Sequence, residues 1–204
     1  MILCGIDEAG RGPLAGPVTA AAVVLQTMPG KQSDLITLLA DSKKLSPTTR
    51  AALARRVKQE AGLWGIGWAN HTEIDRLNIL YASHLAMRRA LIAVLYEASC
   101  RSVQADQLAC IVDGSVLPDL PLPTRAIVKA DGTVPEVMAA SILAKEARDT
   151  WMIRYNAIDD RYGFAAHKGY PTRLHREKLA EYGPCTIHRR SFRPCQIDPF
   201  PSAL

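Results

Sequence analysis

The sequence lacks three features that would each point to a particular class of protein. It has no apolar run of transmembrane length, no C-x-x-C pair of cysteines and no repeated or low-complexity segment. These absences argue against a membrane-spanning, a disulfide-stapled or a repeat protein, and we expect reduced thiols in a cytoplasmic protein. The cysteines are odd in number and far apart: Cys4, Cys100, Cys110, Cys185 and Cys195. A zinc site at Cys185, His188 and Cys195 would lack a fourth ligand at finger-like spacing.

The composition describes a globular domain with a small excess of positive charge. Hydrophobic residues make up 48% and charged residues 22% of the chain, which excludes a disordered or fibrous protein. The 25 lysines and arginines outnumber the 20 acidic residues, and the net charge of +5 suits a polyanionic partner without requiring one. The length of 204 residues fits one α/β domain with, at most, a small helical extension.

Apolar runs alternate with helical patterns along the chain. Short apolar or β-branched runs bounded by turn residues predict strands over residues 2–6, 18–25, 63–69, 108–112 and 125–128. Helical periodicity predicts helices over residues 33–40, 46–59, 72–99, 134–158 and 172–182. Thr72 with Asp75 three positions later is the expected cap of the third helix. Strands separated by helices predict a mixed or parallel sheet flanked by helices, with sites at the carboxyl ends of strands.

Three acidic residues directly follow predicted strands. Asp7 comes after ILCGI, Asp113 after CIV and Asp131 after AIVKA, and Glu8 adds a fourth carboxylate. If these side chains converge, their repulsion requires divalent cations, and oxygen-only ligands favour Mg²⁺ or Mn²⁺ over zinc. The alternative is that Asp7 and Asp131 merely cap turns beside glycine or alanine. Spacing alone leaves both interpretations open.

Longer segments carry a more specific signal: GIDEAGRGPLAGPV, DSKKLS, EIDRLNILYASHLAM, VDG, KADGTVPEVMAASILAKEARD, YGFAAHKGYPT and HRRSF. In order and spacing, from Gly5 to about Pro194, they resemble bacterial type 2 ribonuclease H, ribonuclease HII. The resemblance implies a single ribonuclease H-like catalytic domain over residues 1–204, with residues 172–204 as a C-terminal helical segment and tail. Ala130, where glycine is usual, and His167, where asparagine is frequent, depart from the family pattern without removing a ligand.

That resemblance implies a metal-dependent endoribonuclease. Asp7, Glu8, Asp113 and Asp131 would be its catalytic residues and would bind two Mn²⁺ or Mg²⁺ ions. The enzyme would hydrolyse RNA in RNA/DNA hybrids and cut 5′ of ribonucleotides embedded in duplex DNA, as ribonucleotide excision repair requires. The products would carry 5′-phosphate and 3′-hydroxyl ends. We expect the loss of Asp7, on the first strand, to be the most damaging.

The residues expected to contact the substrate lie near glycines and helix starts. Gly10, Arg11 and Gly12 resemble the family's element for the ribose 2′-hydroxyl, although a tight turn alone would also explain the glycines. The other candidates are Lys43 and Lys44 before a helix, Asn78 within a helical stretch, Ser141 and Lys145 on one helix face, and Lys168 and Tyr170 in the HKGY loop. Surface lysines, a solvated amide and an exposed loop tyrosine are the ordinary alternatives.

Other polar residues are expected to be structural. A bound metal ion acidifies its own water, so His167, His175 and His188 are not needed as bases, and we interpret them as structural or phosphate-proximal. Arg148 is expected to form a surface ion pair with an acidic neighbour on its helix, Glu146 or Asp149.

Two other functions stay open at this point. One is a different ribonuclease H-like metal nuclease, against which the GRG and HKGY segments argue, and the other is a catalytically silent module that binds hybrid duplex. The tail PCQIDPF resembles the pentapeptide that docks bacterial proteins on the replication sliding clamp, with Gln196, Ile197, Asp198 and Phe200 matching and Pro199 not. We expect a monomer that binds nucleic acid, with the sliding clamp as a further candidate partner and no membrane.

Overall fold

One mixed sheet forms the centre of the protein. The computed structural model describes residues 1–25, 34–40 and 46–196. Within those ranges the strands are β1 Ile2–Ala9, β2 Val18–Val24, β3 Leu63–Ala69, β4 Leu108–Asp113 and β5 Thr124–Ile127. They form a sheet in the order β3-β2-β1-β4-β5. β2 is antiparallel to both of its neighbours, whereas β1, β4 and β5 are parallel to one another.

Helices cover both faces of this sheet. In the described ranges they are α1 Leu35–Ala40, α2 Pro47–Glu60, α3 His71–Cys100, α4 Pro135–Asn156, α5 Phe164–His167 and α6 Arg173–Tyr182. α3 packs on one face, and α4, with α1 and α2, packs on the other. The predicted mixed sheet with flanking helices is confirmed. The bounds differ by a few residues, and β1 extends to Ala9, so that Asp7 lies within the strand rather than after it.

β2 is buried along its whole length because both faces of the sheet are covered. Alternate side chains on β2 point to opposite faces. Val18, Ala20 and Ala22 join the cluster under α3, whereas Ala21 and Val23 join the cluster with α4. The strand therefore has a continuous run of apolar residues instead of an alternating pattern.

Two glycines in β3 allow α3 to lie directly on the sheet. A Cβ at Gly67 would lie 2.1 Å from the carbonyl oxygen of Ala86, and one at Gly65 would lie 2.5 Å from that of Ala90. Both contacts are with helix backbone, which cannot swing aside as a flexible side chain can. The absence of side chains at these two positions thus sets the distance between α3 and β3.

By length and composition α3 could cross a membrane, which the sequence analysis did not anticipate. Its inward side, including Ile74, Leu91 and Val94, is completely buried in the cluster that also contains β1, β2 and β4 side chains. We therefore interpret it as the core helix of this sheet.

α3 begins with a capping box at Asn70. Asn70 Oδ1 accepts a hydrogen bond from the N–H of Glu73 at 2.9 Å, and the Glu73 carboxylate accepts one from the N–H of Asn70 at 2.9 Å. The predicted cap by Thr72 with Asp75 is wrong. Asp75 instead accepts hydrogen bonds from two backbone N–H groups of residues 190–191 and so connects α3 to the C-terminal segment.

Asn78 interrupts α3. Its φ of 66° and ψ of 168° are not helical, and its Oδ1 accepts hydrogen bonds from the N–H groups of Leu80 and Tyr81 at 2.9 and 3.3 Å. Asparagine tolerates positive φ better than most residues. Asn78 therefore ends the first part of α3 and caps the second, a structural reason for the amide that the sequence analysis did not find.

The chain after α4 folds back onto the loop between β1 and β2, residues 10–17. The N–H of Leu14 donates to the carbonyl of Gly169 at 2.8 Å, and the N–H of Gly16 donates to the carbonyl of Ile187 at 2.9 Å. The C-terminal segment thus covers the loop that directly follows Asp7 and Glu8.

Replacing Gly67 by alanine is expected to lower the free energy of unfolding by about 1–3 kcal/mol, because the added methyl group meets helix backbone. Gly12→Ala is the matched control, since a Cβ there would find its nearest neighbour at 3.8 Å. Chemical denaturation of both variants measures the difference. Equal stabilities of the two variants would show that α3 and β3 are not in such close contact.

Candidate active site

The parallel pairing of β1 with β4 places Asp7 beside Asp113. In that register Ile6 is opposite Val112, and the two aspartates are the next residues along their strands. Asp113 Oδ1 accepts a hydrogen bond, at 2.7 Å, from the N–H of the residue that precedes Asp131. The topology therefore gathers the predicted carboxylates at one edge of the sheet.

Asp7 and Glu8 are in surroundings that disfavour their negative charge. Asp7 is 6% exposed, and burial raises its pKa well above the ordinary value, with the charges of Glu8 and Asp113 adding to the effect. The nearby Ser141 hydroxyl, and a hydrogen bond from the N–H of Glu8 at 2.7 Å, lower this pKa again in part. Burial also raises the pKa of Glu8, an effect that Arg11 opposes. The protein's own polar and charged groups therefore only partly offset the cost of burying the negative charges of Asp7 and Glu8.

One oxygen of Glu8 is left without a partner. Oε1 forms an ion pair with the Arg11 guanidinium at 3.2 Å, whereas Oε2 is buried and has no hydrogen-bond partner in the described part of the chain. A buried carboxylate oxygen in that state costs free energy unless a donor or a cation satisfies it. The neighbouring groups are carboxylates, whose oxygens suit Mg²⁺ or Mn²⁺. The residues present therefore fit a hard divalent cation.

The carboxylates do not form a closed metal cage as they stand. Among residues 1–25, 34–40 and 46–196, no group of three or more histidine, cysteine, aspartate or glutamate side chains is close enough to hold a metal ion. Glu8 is instead paired with Arg11. The structure thus brings the predicted residues to one edge but not to a common coordination point.

The loop after Glu8 needs its first glycine for two reasons. Gly10 has a φ of +97°, which disfavours residues with a side chain. A Cβ on Gly10 would also lie 2.0 Å from Nε of Arg148. Gly12, in contrast, faces the ring of Tyr170, whose Cε1 would lie 3.8 Å from an added Cβ. The two glycines of GRG therefore serve different contacts.

Two fully buried arginines hold this loop through its carbonyl groups. Arg148 donates to the carbonyls of Ala15, Pro17 and Lys168, at 2.9–3.1 Å. Arg189 donates to those of Gly10, Arg11, Gly16 and Pro17, at 2.6–3.2 Å. The prediction of a surface ion pair for Arg148 is wrong. Arg189 was not predicted at all, although the HRRSF segment contained the signal.

Helix α4 carries several site residues on one side. Ser141 lies near Asp7 and lowers its pKa, and Lys145, one turn later, has its Nζ 5.5 Å from the centre of the Tyr170 ring. The same Nζ donates to Asp149 Oδ1 at 2.8 Å, and Asp149 Oδ2 accepts from Arg50 of α2 at 3.0 Å. Lys145 is therefore held beside Tyr170 by a buried carboxylate.

Comparison with known proteins identifies the family. The family model for ribonuclease HII matches residues 4–195. A ribonuclease HII from Moorella thermoacetica is 51% identical over 191 residues, which cover 94% of this chain and 86% of that protein. The chain belongs to the ribonuclease HII family. It is therefore an endoribonuclease that acts on RNA/DNA hybrids.

Solved structures share the fold. The ribonuclease H2 of Pyrococcus horikoshii OT3 superposes with a TM-score of 0.71 at 25% identity, covering 96% of this chain and 95% of that one. A chain of the PCNA:RNase HII complex from Archaeoglobus fulgidus gives a TM-score of 0.64 at 27% identity, covering 89% and 88%. The ribonuclease H-like fold that the sequence implied is confirmed.

The other predicted substrate residues of this ribonuclease HII are found in different settings. Tyr170 is 38% exposed next to Gly12, whereas the Lys168 ammonium group contacts the carbonyl of Ala165. Asn78 is exposed at the kink in α3. Lys43 and Lys44 lie outside the described residues.

His84 is a residue near the site that the sequence analysis missed. It follows the kink in α3, and burial lowers its pKa, with the charge of Arg11 adding to the effect. It lies inside the segment EIDRLNILYASHLAM, so the signal was available, but nothing in that segment distinguished His84 from its neighbours.

The hydrogen bonds of the three histidines near the C-terminus are those of neutral imidazole rings, with one nitrogen donating and the other accepting. His188 Nδ1 accepts from the N–H of Cys185 at 2.9 Å, so its proton is on Nε2, which is 3.1 Å from Nε2 of His175. His175 then carries its proton on Nδ1 and donates to the carbonyl of Tyr170 at 3.0 Å. His167 likewise accepts at Nδ1 from the backbone. They support the Tyr170 loop, in agreement with a structural interpretation.

The histidines should make stability sensitive to acid. Burial, with repulsion from His175 when that ring is protonated, lowers the pKa of His188 to about 4, while an unfolded histidine titrates at about 6.5. Below pH of about 6.5 the unfolded chain binds the extra proton and the folded chain does not, so stability falls until the pH reaches about 4. Other groups whose charges act on His188 are Asp159 and Arg190.

Thermal unfolding between pH 7.5 and 4 tests this prediction. His188→Phe should be less stable at pH 7.5 but should lose less stability on acidification than the unchanged protein. Parallel profiles for the two would contradict the assignment of a buried neutral His188.

Proposed function

We propose that this ribonuclease HII hydrolyses the phosphodiester on the 5′ side of a ribonucleotide, both in RNA/DNA hybrids and where a single ribonucleotide is embedded in duplex DNA. The products carry 5′-phosphate and 3′-hydroxyl ends. The observation that carries the proposal is the buried, unpartnered Oε2 of Glu8, which adjoins both the Asp7–Asp113 edge and the GRG loop. Carboxylates in need of a cation next to a backbone element suited to ribose favour this reaction over simple duplex binding.

Asp7, Glu8, Asp113 and Asp131 are the residues that would hold the divalent cations on which the family depends. When bound, Mg²⁺ or Mn²⁺ supplies an activated water for in-line attack and stabilises the charge on the leaving oxygen. Ser141 and the N–H of Glu8 orient the Asp7 carboxylate. Asp7 thus acts at the reacting phosphate and not on the rest of the duplex.

The substrate side of the site is formed by the GRG backbone, Tyr170 and Lys145. Backbone donors suit the 2′-hydroxyl, which is the group that distinguishes RNA from DNA. The Tyr170 ring beside Gly12 suits packing on a neighbouring sugar, and Lys145 next to that ring suits a phosphate. Further proposed contacts are Asn78, Lys168 and the two lysines outside the described residues, Lys43 and Lys44.

Replacing Asp7 by asparagine should reduce cleavage by more than tenfold while leaving duplex binding and thermal stability intact. The amide removes one cation ligand and relieves the cost of a buried charge. The measurement is cleavage of a DNA duplex with one internal ribonucleotide, with and without Mg²⁺ or Mn²⁺, alongside binding of the same duplex in EDTA. Asp119→Asn, at a side chain that is 96% exposed, is the control.

Cleavage above about a tenth of the normal rate, equivalent to less than 1.4 kcal/mol of barrier, would contradict the role of Asp7. Cleavage of DNA junctions instead of the ribonucleotide substrate would favour another metal nuclease. Binding of the hybrid by the unchanged protein without metal-dependent cleavage would favour a silent binding module.

Tyr170→Ala should slow cleavage at a single embedded ribonucleotide by tenfold or more and should slow cleavage within continuous RNA less. Only the first substrate presents a deoxyribose on the 3′ side of the ribonucleotide that follows the scissile linkage, where the ring would pack. Tyr182→Ala is the matched control, because Tyr182 is 42% exposed and also lies near two cationic side chains, Arg161 and Lys178. Comparing kcat/KM on both substrates decides the matter, and equal losses for Tyr170→Ala would exclude this role for the ring.

Docking on the replication sliding clamp through the C-terminal tail is a further part of the proposal. The Archaeoglobus fulgidus protein was solved as a PCNA:RNase HII complex, and Gln196, Ile197, Asp198 and Phe200 match the clamp-binding pattern in part. Gln196 donates to the carbonyl of Ser191, and the residues after it lie outside the described part of the chain. Action as a monomer in the cytoplasm also stays a prediction.

A further inference from the structure

The two buried arginines differ from most buried cations in having no carboxylate partner. Both side chains are completely buried, and no salt bridge involves either of them among the described residues. Buried charges are normally paired, and an apolar residue of similar size often gives equal or greater stability. Two buried arginines at these positions therefore indicate a role that an apolar side chain could not fulfil.

Carbonyl groups of one loop take the place of the missing carboxylates. Six of the seven hydrogen bonds that Arg148 and Arg189 donate go to carbonyls of residues 10–17, and the seventh goes to Lys168. The guanidinium group suits this task because its five N–H donors form a rigid planar fork. The arginines therefore fix the directions of the peptide planes in the loop.

The N–H groups of these peptides lie on the side of the loop opposite the arginines. The carbonyls of Gly10 and Arg11 both point inward to Arg189, at 2.6 and 2.9 Å. In a trans peptide the N–H points away from the carbonyl, so the N–H groups of Arg11 and Gly12 point away from the buried guanidinium. In the part of the chain that the structure describes, neither N–H donates a hydrogen bond. Two adjacent free donors therefore lie three and four residues after Glu8.

We propose that Arg189, assisted by Arg148, is a positioning residue for ribose recognition. By holding the carbonyls of Gly10 and Arg11 inward, it presents the N–H groups of Arg11 and Gly12 to the 2′-hydroxyl oxygen of the substrate. Selectivity for a ribonucleotide over a deoxyribonucleotide thus depends on a side chain that never touches the nucleic acid. The inference rests on the proposed function, because it assumes that the GRG backbone meets the ribose.

The electrostatics of the loop agree with this role. Burial, followed by the charge of Arg148, lowers the pKa of Arg189 to about 9, which leaves the guanidinium protonated at neutral pH. Two positive charges behind the loop favour an electron-rich oxygen in front of it. Gly10 contributes as well, since any Cβ there would displace the Arg148 side chain.

The test measures the binding preference of the full chain in EDTA, so that nothing is cut. The probes are two duplexes of identical sequence, one all-DNA and one with a single ribonucleotide. The unchanged protein should prefer the ribonucleotide duplex by tenfold or more. Arg189→Met should reduce this preference to below threefold, with affinity for the all-DNA duplex changed by less than twofold.

Two further variants separate positioning from simple destabilisation. Tyr162→Phe removes a partly buried hydrogen bond to the carbonyl of Gly183, outside the loop, and should lower Tm without changing the preference. Arg189→Lys keeps a charge but cannot span four carbonyls, so its preference for the ribonucleotide duplex should fall between those of the unchanged protein and Arg189→Met. If Arg189→Met does not fold, a reduced preference in Arg189→Lys supports the inference in its place.

A full preference in folded Arg189→Met or Arg189→Lys would overturn the positioning role. An equal loss of preference in Tyr162→Phe would also overturn it, since any destabilisation would then suffice. Equal binding of the two duplexes by the unchanged protein would overturn the ribose recognition on which the inference rests. Loss of cleavage with the preference retained would instead point to the carboxylates and the proposed chemistry.

Discussion

The hydrogen bonds from two buried guanidinium groups to the carbonyls of residues 10–17 are the interaction on which the site depends. This loop connects β1 to β2 and begins at Gly10, two residues after Glu8. Arg148 reaches it from α4, and Arg189 reaches it from the C-terminal segment, more than 170 residues away in sequence. These bonds therefore help to hold the carboxylates, the GRG backbone and the Tyr170 loop in their relative positions.

Helix α4 is the second constraint, because it runs along β1 and its continuation. Successive turns of α4 meet the chain at Gly5, Asp7, Gly10 and Gly16. At three of these positions the absence of a side chain makes room for the helix or for a side chain from it. Close packing of one helix on one strand thus sets the place of Ser141, Lys145 and Arg148 at the same time.

Much of the fold, and the identity of the candidate carboxylates, could be predicted from the sequence. Continuous apolar runs gave β2 and β4 because both sheet faces are covered, and Asp113 follows from the end of such a run. The environment of Arg148 could not be predicted, since acidic neighbours on its own helix suggest a surface pair, whereas its acceptors belong to residues that only the tertiary fold brings close. The cap at Asn70 and the kink at Asn78 were missed for a local reason, because Thr72 and the continuous helical periodicity offered equally good alternatives.

The central claim is that the carboxylate edge beside the GRG loop is the cation-binding centre of this ribonuclease HII. Anomalous X-ray scattering from crystals containing Mn²⁺ tests it most directly. The account predicts manganese in contact with Asp7 and with Oε2 of Glu8, the buried oxygen that has no protein partner. Manganese bound only elsewhere, at a concentration that supports cleavage, would contradict it.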